Sequence, residues 1–399
     1  MTLLPALPST HQGLGSILQS SARVLLALGL ALALGCGLVR LGLGGGAWIL
    51  GGIGAGAIAL WSLRLMATQP SGLGSAIAPN RHLRKAGQLL IGLTIGSSIH
   101  ADTLAATSGQ LPLFLGAVLL LLLGSLAIAR VYAWLESTDW LTGTLATTPG
   151  NIGIMASIAA DFSKNSAQVT LVQLLRFTAI VGLMPLMVHV SNVTDVGVVL
   201  YHLMDDPLLR LPRYWVQVLV VLGGAIAAAN LGSRLRIPVA TFFCPIVVGM
   251  AATQLVGMGV SEAPFALPQS LSVLGQLLLG ITIGEYWAVN PRLKAVVVAR
   301  AVLPVGLTLG LGLAVAALLH QLTTWSWLTC LLVAAPGGSP EMIWIALSLQ
   351  QSVEIVTAAH LVRLLVLNLS LPGIILLVSR WDARQSVSYG FSSNSSSKV

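Results

Sequence analysis

The run Gly87-Gln88-Leu89-Leu90-Ile91-Gly92-Leu93-Thr94-Ile95-Gly96 returns as Gly275-Gln276-Leu277-Leu278-Leu279-Gly280-Ile281-Thr282-Ile283-Gly284, changed only at its fifth and seventh places. Outward from it, Pro149-Gly150 with Met155 corresponds to Pro336-Gly337 with Met342. Val169-Thr170-Leu171-Val172-Gln173-Leu174-Leu175-Arg176 likewise corresponds to Val356-Thr357-Ala358-Ala359-His360-Leu361-Val362-Arg363. These motifs keep their order at a nearly constant offset, the mark of a duplicated unit.

The unit is one built for lipid. Hydrophobic residues make up 56% of the 399 residues and charged ones 8%, too little polar surface to keep a globule of this size in water. Apolar runs such as Leu41 to Leu63, Thr103 to Ala129, Ile237 to Ser261 and Ala301 to His320 are each long enough, at roughly 20 residues, to cross about 30 Å of hydrocarbon as a helix. The expected fold is an all-α membrane protein of about 10–12 transmembrane segments in two homologous repeats. Candidate spans fall at 24–39, 44–62, 86–100, 111–134, 140–161, 168–190, 214–232, 238–258, 270–288, 295–319, 328–348 and 355–378. The organisation read from these is an N-terminal tail 1–22, a first repeat 23–190, a polar linker 191–213, a second repeat 214–380 and a disordered serine-rich tail 381–399.

The formal charge of +8 is carried by Lys and Arg set between apolar runs, with no basic stripe, so positive-inside bias explains it and nucleic-acid binding is not expected. Arg64, Arg81, Arg84 and Lys85 mark a cytoplasmic loop. If every segment crosses, the repeats are parallel and Arg234, Arg236, Arg292 and Lys294 fall on the wrong side. An inverted repeat restores the rule if one segment of the first unit fails to cross, and the short glycine-rich stretch 86–100 is the candidate. Inversion is the favoured reading. Cys36, Cys244 and Cys330 lie in apolar segments without a CxxC partner, and the N-terminus lacks the basic region of a cleavable signal peptide.

Chemistry is sought where apolar spans break, because a Pro-Gly inside one frees backbone groups that lipid cannot satisfy. In Pro336-Gly337-Gly338-Ser339-Pro340-Glu341-Met342 the order suggests a helix start, with Ser339 as N-cap, Pro340 at the first position and Glu341 in the first turn; Asn151 is the matching cap in the other half. Arg176 and Arg363 lie deep in apolar helices, where a guanidinium costs roughly 3 kcal/mol or more unless paired. Glu341, the freed carbonyls and an anionic substrate are all candidate partners, so a ligand-binding and a structural reading stand side by side. His360 and Gln173 sit one turn before the arginines, and Gln88 and Gln276 lie in the glycine motifs, where interhelical hydrogen bonding competes with ligand contact. The candidate substrate-binding set is therefore Gln88, Asn151, Arg176, Gln276, Pro336, Gly337, Gly338, Ser339, Glu341, His360 and Arg363. No catalytic residue, cofactor or metal is assigned: the seven histidines are dispersed and no nucleophile elbow or P-loop is present.

At the Gly-Gln-Leu-Leu-x-Gly-x-Thr-Ile-Gly, Pro-Gly-Gly-Ser-Pro-Glu-Met and His-Leu-Val-Arg motifs the chain resembles the AbrB-type integral membrane family, over roughly residues 24–380. The resemblance implies a multi-pass protein and carries two labels given to members, ammonia monooxygenase and regulator of gene expression. In that family the second-half motif reads Pro-Gly-Gly followed by Glu-Met, matched by Pro336-Gly337-Gly338 and Glu341-Met342. The first half departs, with Asn151 for the second glycine and Ile154 where an acid would align. A copper or iron monooxygenase needs clustered ligands, and a DNA-binding regulator needs a soluble basic module; neither is visible. The expected function is that of a secondary transporter or exporter of a small polar or anionic solute in the inner membrane. Its expected partners are lipid and a small molecule or ion, with association between copies left open.

Overall fold

A computed structural model describes residues 11–41, 46–66, 80–150, 155, 158–159, 163, 165–187, 212–254, 265–289 and 295–395. Asn151, Ile154 and linker residues 191–211 lie outside them. The described residues are helical throughout, without strands: α1 His11–Arg40, α2 Ala47–Met66, α3 Arg81–Ser98, α4 Ala101–Ala106, α5 Leu111–Leu135, α6 Trp140–Thr147, α7 Ser166–Met187, α8 Pro212–Arg234, α9 Ala240–Gln254, α10 Gln269–Val289, α11 Ala295–Leu322, α12 Trp327–Ala334, α13 Ser339–Ser348 and α14 Val353–Ser395.

Six of these helices are long and apolar enough to cross a membrane, and α2 and α9 contain shorter apolar stretches. Leucines such as Leu123, Leu219 and Leu369 stand exposed on the outer faces, where only hydrocarbon would receive them. Exposed tryptophans sit toward helix ends at Trp61, Trp134 and Trp215, as in the aromatic belts of membrane proteins. The chain is a multi-pass helical membrane protein.

The glycine motifs form the seams of the bundle. A Cβ at Gly280 would collide with the Ile49 carbonyl, and one at Gly284 with that of Ile53, so α2 and α10 run parallel with their backbones touching. In the same way Gly92 abuts the carbonyl of Phe242 and Gly96 that of Ile246, joining α3 to α9. The interval from Ile49 to Phe242 is also that from Ile53 to Ile246. Each glycine helix thus lies along the helix that precedes its counterpart.

The glycine helices also meet each other. Gly87 faces Leu279, Gly275 faces Ile91, and Thr94 Oγ1 lies 2.7 Å from Ser272 Oγ. One number rises as the other falls, so α3 and α10 are antiparallel. The same holds for α5 and α11: Phe114 stacks on Trp325, Gly124 faces Leu311, and Glu136 reaches Arg300 at 3.5 Å.

Most of segment 86–100 lies in α3, a continuous helix capped at Asn80, whose side chain accepts from the backbone N–H groups of His82 and Leu83. The Pro-Gly segments turn back. Asp139 and Ser326, at corresponding places, cap α6 and α12 by accepting from the N–H groups of Thr142 and Thr329. Each helix then ends after eight residues at Thr148 or Ala335, whose φ/ψ of −60°/128° and −57°/122° belong to the extended region that a following proline imposes. The chain then returns to the end from which it entered. Thr142 Oγ1 and Ser163 Oγ lie 2.8 Å apart, and Ser326 donates to Gln351 Oε1 at 2.5 Å. Both segments are re-entrant hairpins. Because α5 and α11 are antiparallel and each leads into a hairpin, the two hairpin mouths open at opposite ends of the molecule.

Candidate functional site: two hairpin tips and a buried pocket

Proline breaks leave the last carbonyls of α6 and α12 without intrahelical donors, in a place where water is scarce. In the first half, Gln173 Nε2 donates to the carbonyls of Leu145 (2.7 Å) and Thr148 (3.0 Å), and Arg176 Nη1 donates to that of Thr147 at 2.7 Å. In the second, His360 Nε2 meets the Leu332 carbonyl at 2.9 Å, while Arg363 donates to the carbonyls of Ala335 (2.6 Å) and Gly337 (3.0 Å). Leu145 and Leu332 are corresponding residues, so an amide and an imidazole perform one task on one carbonyl. A cation at a helix C-terminus also complements the negative end of its dipole. Both guanidiniums are buried, at 2% and 4% exposure; besides these backbone oxygens, Arg176 Nη2 donates to Gln173 Oε1 at 2.6 Å, and Arg176 Nε is buried without a partner among the described residues. Hydrogen bonds to the freed carbonyls fit a structural role for both, while Arg363 also lines the cavity between the tips.

His360 has a defined tautomer in this arrangement. A carbonyl can only accept, so Nε2 carries the proton, and Nδ1 accepts from Arg363 Nη2 at 2.7 Å and from Ser339 Oγ at 3.2 Å. A second proton on the ring would point at a guanidinium. Ser339 is thereby engaged behind the tip and does not cap α13. The N-cap is Gly338, with φ/ψ of −68°/132° and no side-chain bond, and Ser339 is the first helical residue. The expectation of a Ser339 cap is corrected accordingly: the hydroxyl is drawn to His360.

The tips converge on a cavity of about 50 Å³, walled by Pro149 and Gly150 from one hairpin and Gly337 to Glu341 from the other, with Arg84, Gln88, Thr282 and Tyr286 closing it. That volume holds a few waters or a small ion. Glu341, 6% exposed, folds back over the start of α13, so that a Cβ on Gly338 would collide with its Oε2. That oxygen is buried without a hydrogen-bond partner among the described residues.

Of the expected set, Gln88, Gly337, Gly338, Ser339, Glu341 and Arg363 line this cavity. Arg176 and His360 stand behind the tips, and Pro336 faces a separate apolar hollow beside Ile180 and Gly312. Gln276 is buried elsewhere with its Oε1 unpartnered, and Gln88 Oε1 accepts from Thr241 at 2.6 Å across the α3–α9 seam. Arg84 joins the cavity although the sequence marks it only as a loop cation; its i,i+4 spacing from Gln88 is the available signal that the two share a face. Thr282 and Tyr286 show the same spacing on α10. Among the described residues no group of three or more His, Cys, Asp or Glu could hold a metal ion.

Seam-packed glycine helices and two hairpins whose tips line one cavity characterise this polytopic helical membrane protein. The chain belongs to the AbrB family, described as transition state regulatory protein AbrB, whose profile matches residues 48–379. It is 26% identical over 305 residues to the uncharacterized protein YhjN of Bacillus subtilis (strain 168), covering 73% of this chain and 78% of the relative. Over 313 residues it is 23% identical to a protein of Escherichia coli (strain K12) named "Putative regulator AbrB", covering 75% of this chain and 84% of the relative.

Proposed function

We propose that this protein is a secondary transporter of a small polar or anionic solute, built as an inverted duplication. The observation that carries the reading is the pair of hairpins that enter from opposite ends and meet tip to tip at a small polar cavity. Broken helices at a repeat interface are a way to place polar backbone at mid-membrane, where alternating access needs a site reachable from either side. Antiparallel packing of α3 with α10 and of α5 with α11 supports inversion. So does charge: Arg81, Lys85, Arg130, Arg234, Arg236 and Arg300 then gather at one end, which the positive-inside rule makes cytoplasmic. The regulator label belongs to the E. coli relative; for this chain it names a second reading, which would require a cytoplasmic partner.

The test is reconstitution of the full chain in liposomes and counterflow of labelled formate, acetate, phosphate, taurine and ammonium. At least one solute is expected to exchange. Gly338→Val, which forces a side chain into Glu341 and Phe177, should abolish that exchange while the protein stays monodisperse. Absence of flux across the panel, together with no thermal stabilisation by any of these solutes, would falsify the reading.

A further inference from the structure

We propose that Glu341 is a proton-exchange site of the central cavity. The inference deepens the transport reading, since a proton taken up there would be the coupling ion, but it stands on geometry of its own.

A buried carboxylate oxygen with no donor is costly, and a structure relieves that cost by pairing the charge or by neutralising it. Glu341 Oε2 has no hydrogen-bond donor among the described residues, although the carboxyl lies in the wall of a cavity that admits water. The basic groups behind the tip are already engaged. Arg363 gives its Nη1 and Nη2 to the carbonyls of Ala335 and Gly337 and to His360, and Ser339 is held by the same imidazole. The charged and titratable groups facing Glu341 are Arg84 from α3, Tyr286 from α10, and Arg363 with His360 from α14. The α7 face contributes Phe177, the other hairpin tip contributes Pro149 and Gly150, and α13 itself has no basic residue.

A hydrogen on Oε2 would supply the partner that its surroundings do not. Hydronium reaching the cavity gives its proton to the carboxylate, leaving neutral acid and water; the reverse step returns it when the cavity opens to the other side. The first half has Ile154 at the corresponding place, so its motif offers no carboxyl to match Glu341.

The experiment is infrared difference spectroscopy of the full chain in lipid, stepped between mildly alkaline and mildly acidic pH with no solute added. A carboxylic-acid C=O band is expected in wild type and in Glu285→Gln, whose native carboxylate accepts from the Asn80 N–H at 2.7 Å. It is expected to vanish in Glu341→Gln. Arg84→Gln, which leaves the carboxyl in place, should raise the midpoint of the band by about one pH unit through loss of a facing positive charge. That variant keeps the test decisive if Glu341→Gln does not fold. A band that persists in folded Glu341→Gln, or a midpoint indifferent to Arg84, overturns the assignment. Because no solute is used, failure here leaves the transport reading intact; flux lost across the solute panel with the band present removes transport and keeps the proton site.

Discussion

Arg176 and Arg363 show what a single residue does for a broken membrane helix. Each reaches carbonyls that proline has orphaned, and an unsatisfied buried carbonyl costs about 1–3 kcal/mol. Arg363→Leu strands two of them, so it should destabilise the protein by about 2–5 kcal/mol, read as a lower melting temperature in detergent. An unchanged melt would show that water or a neighbouring side chain takes over. Gln173 already performs His360's task, which makes His360→Gln the informative companion. The amide should keep the Leu332 contact, and the variant should melt close to wild type and retain function; a collapse of function with normal stability would return the imidazole to the mechanism.

At the scale of the element, the glycines separate into seams and free faces. Gly280 and Gly284 lie against backbone carbonyls, while a methyl group added at Gly306 or Gly310 of α11 would meet nothing within 4 Å. Gly284→Ala should force α2 and α10 apart and lower the melting temperature. Gly310→Ala should be neutral or stabilising by up to about 1 kcal/mol, the helix-propensity difference. Equal responses from the two would remove close packing as the role of the motif. Composition alone does not sort these glycines, because both sets stand in apolar helices; only the neighbouring helix distinguishes them.

Across the whole molecule, inversion makes a directional prediction. Ser137, after α5, and Thr324, after α11, lie beside the mouths of the two hairpins. In a background lacking Cys36, Cys244 and Cys330, Ser137→Cys and Thr324→Cys should react with an impermeant thiol reagent from opposite sides of the membrane. Reaction from one side would mean parallel halves and leave the hairpins without alternating access.

The amino-acid chain alone determined that this protein lives in lipid, that its motifs recur, and that Pro-Gly breaks two of its apolar spans. Hydropathy, repetition and proline chemistry act locally and are written in consecutive residues. It also set Arg363 and His360 one turn apart on a single helix. The sequence left open the direction of each segment and the partner of each charge. Tertiary structure decided that α3 is continuous and the broken spans return, because a hairpin is recognised only when Ser326 meets Gln351. It also brought the arginines to the freed carbonyls and a carboxylate to the cavity wall. A buried charge takes whichever partner the packing delivers, and packing joins residues far apart in the chain.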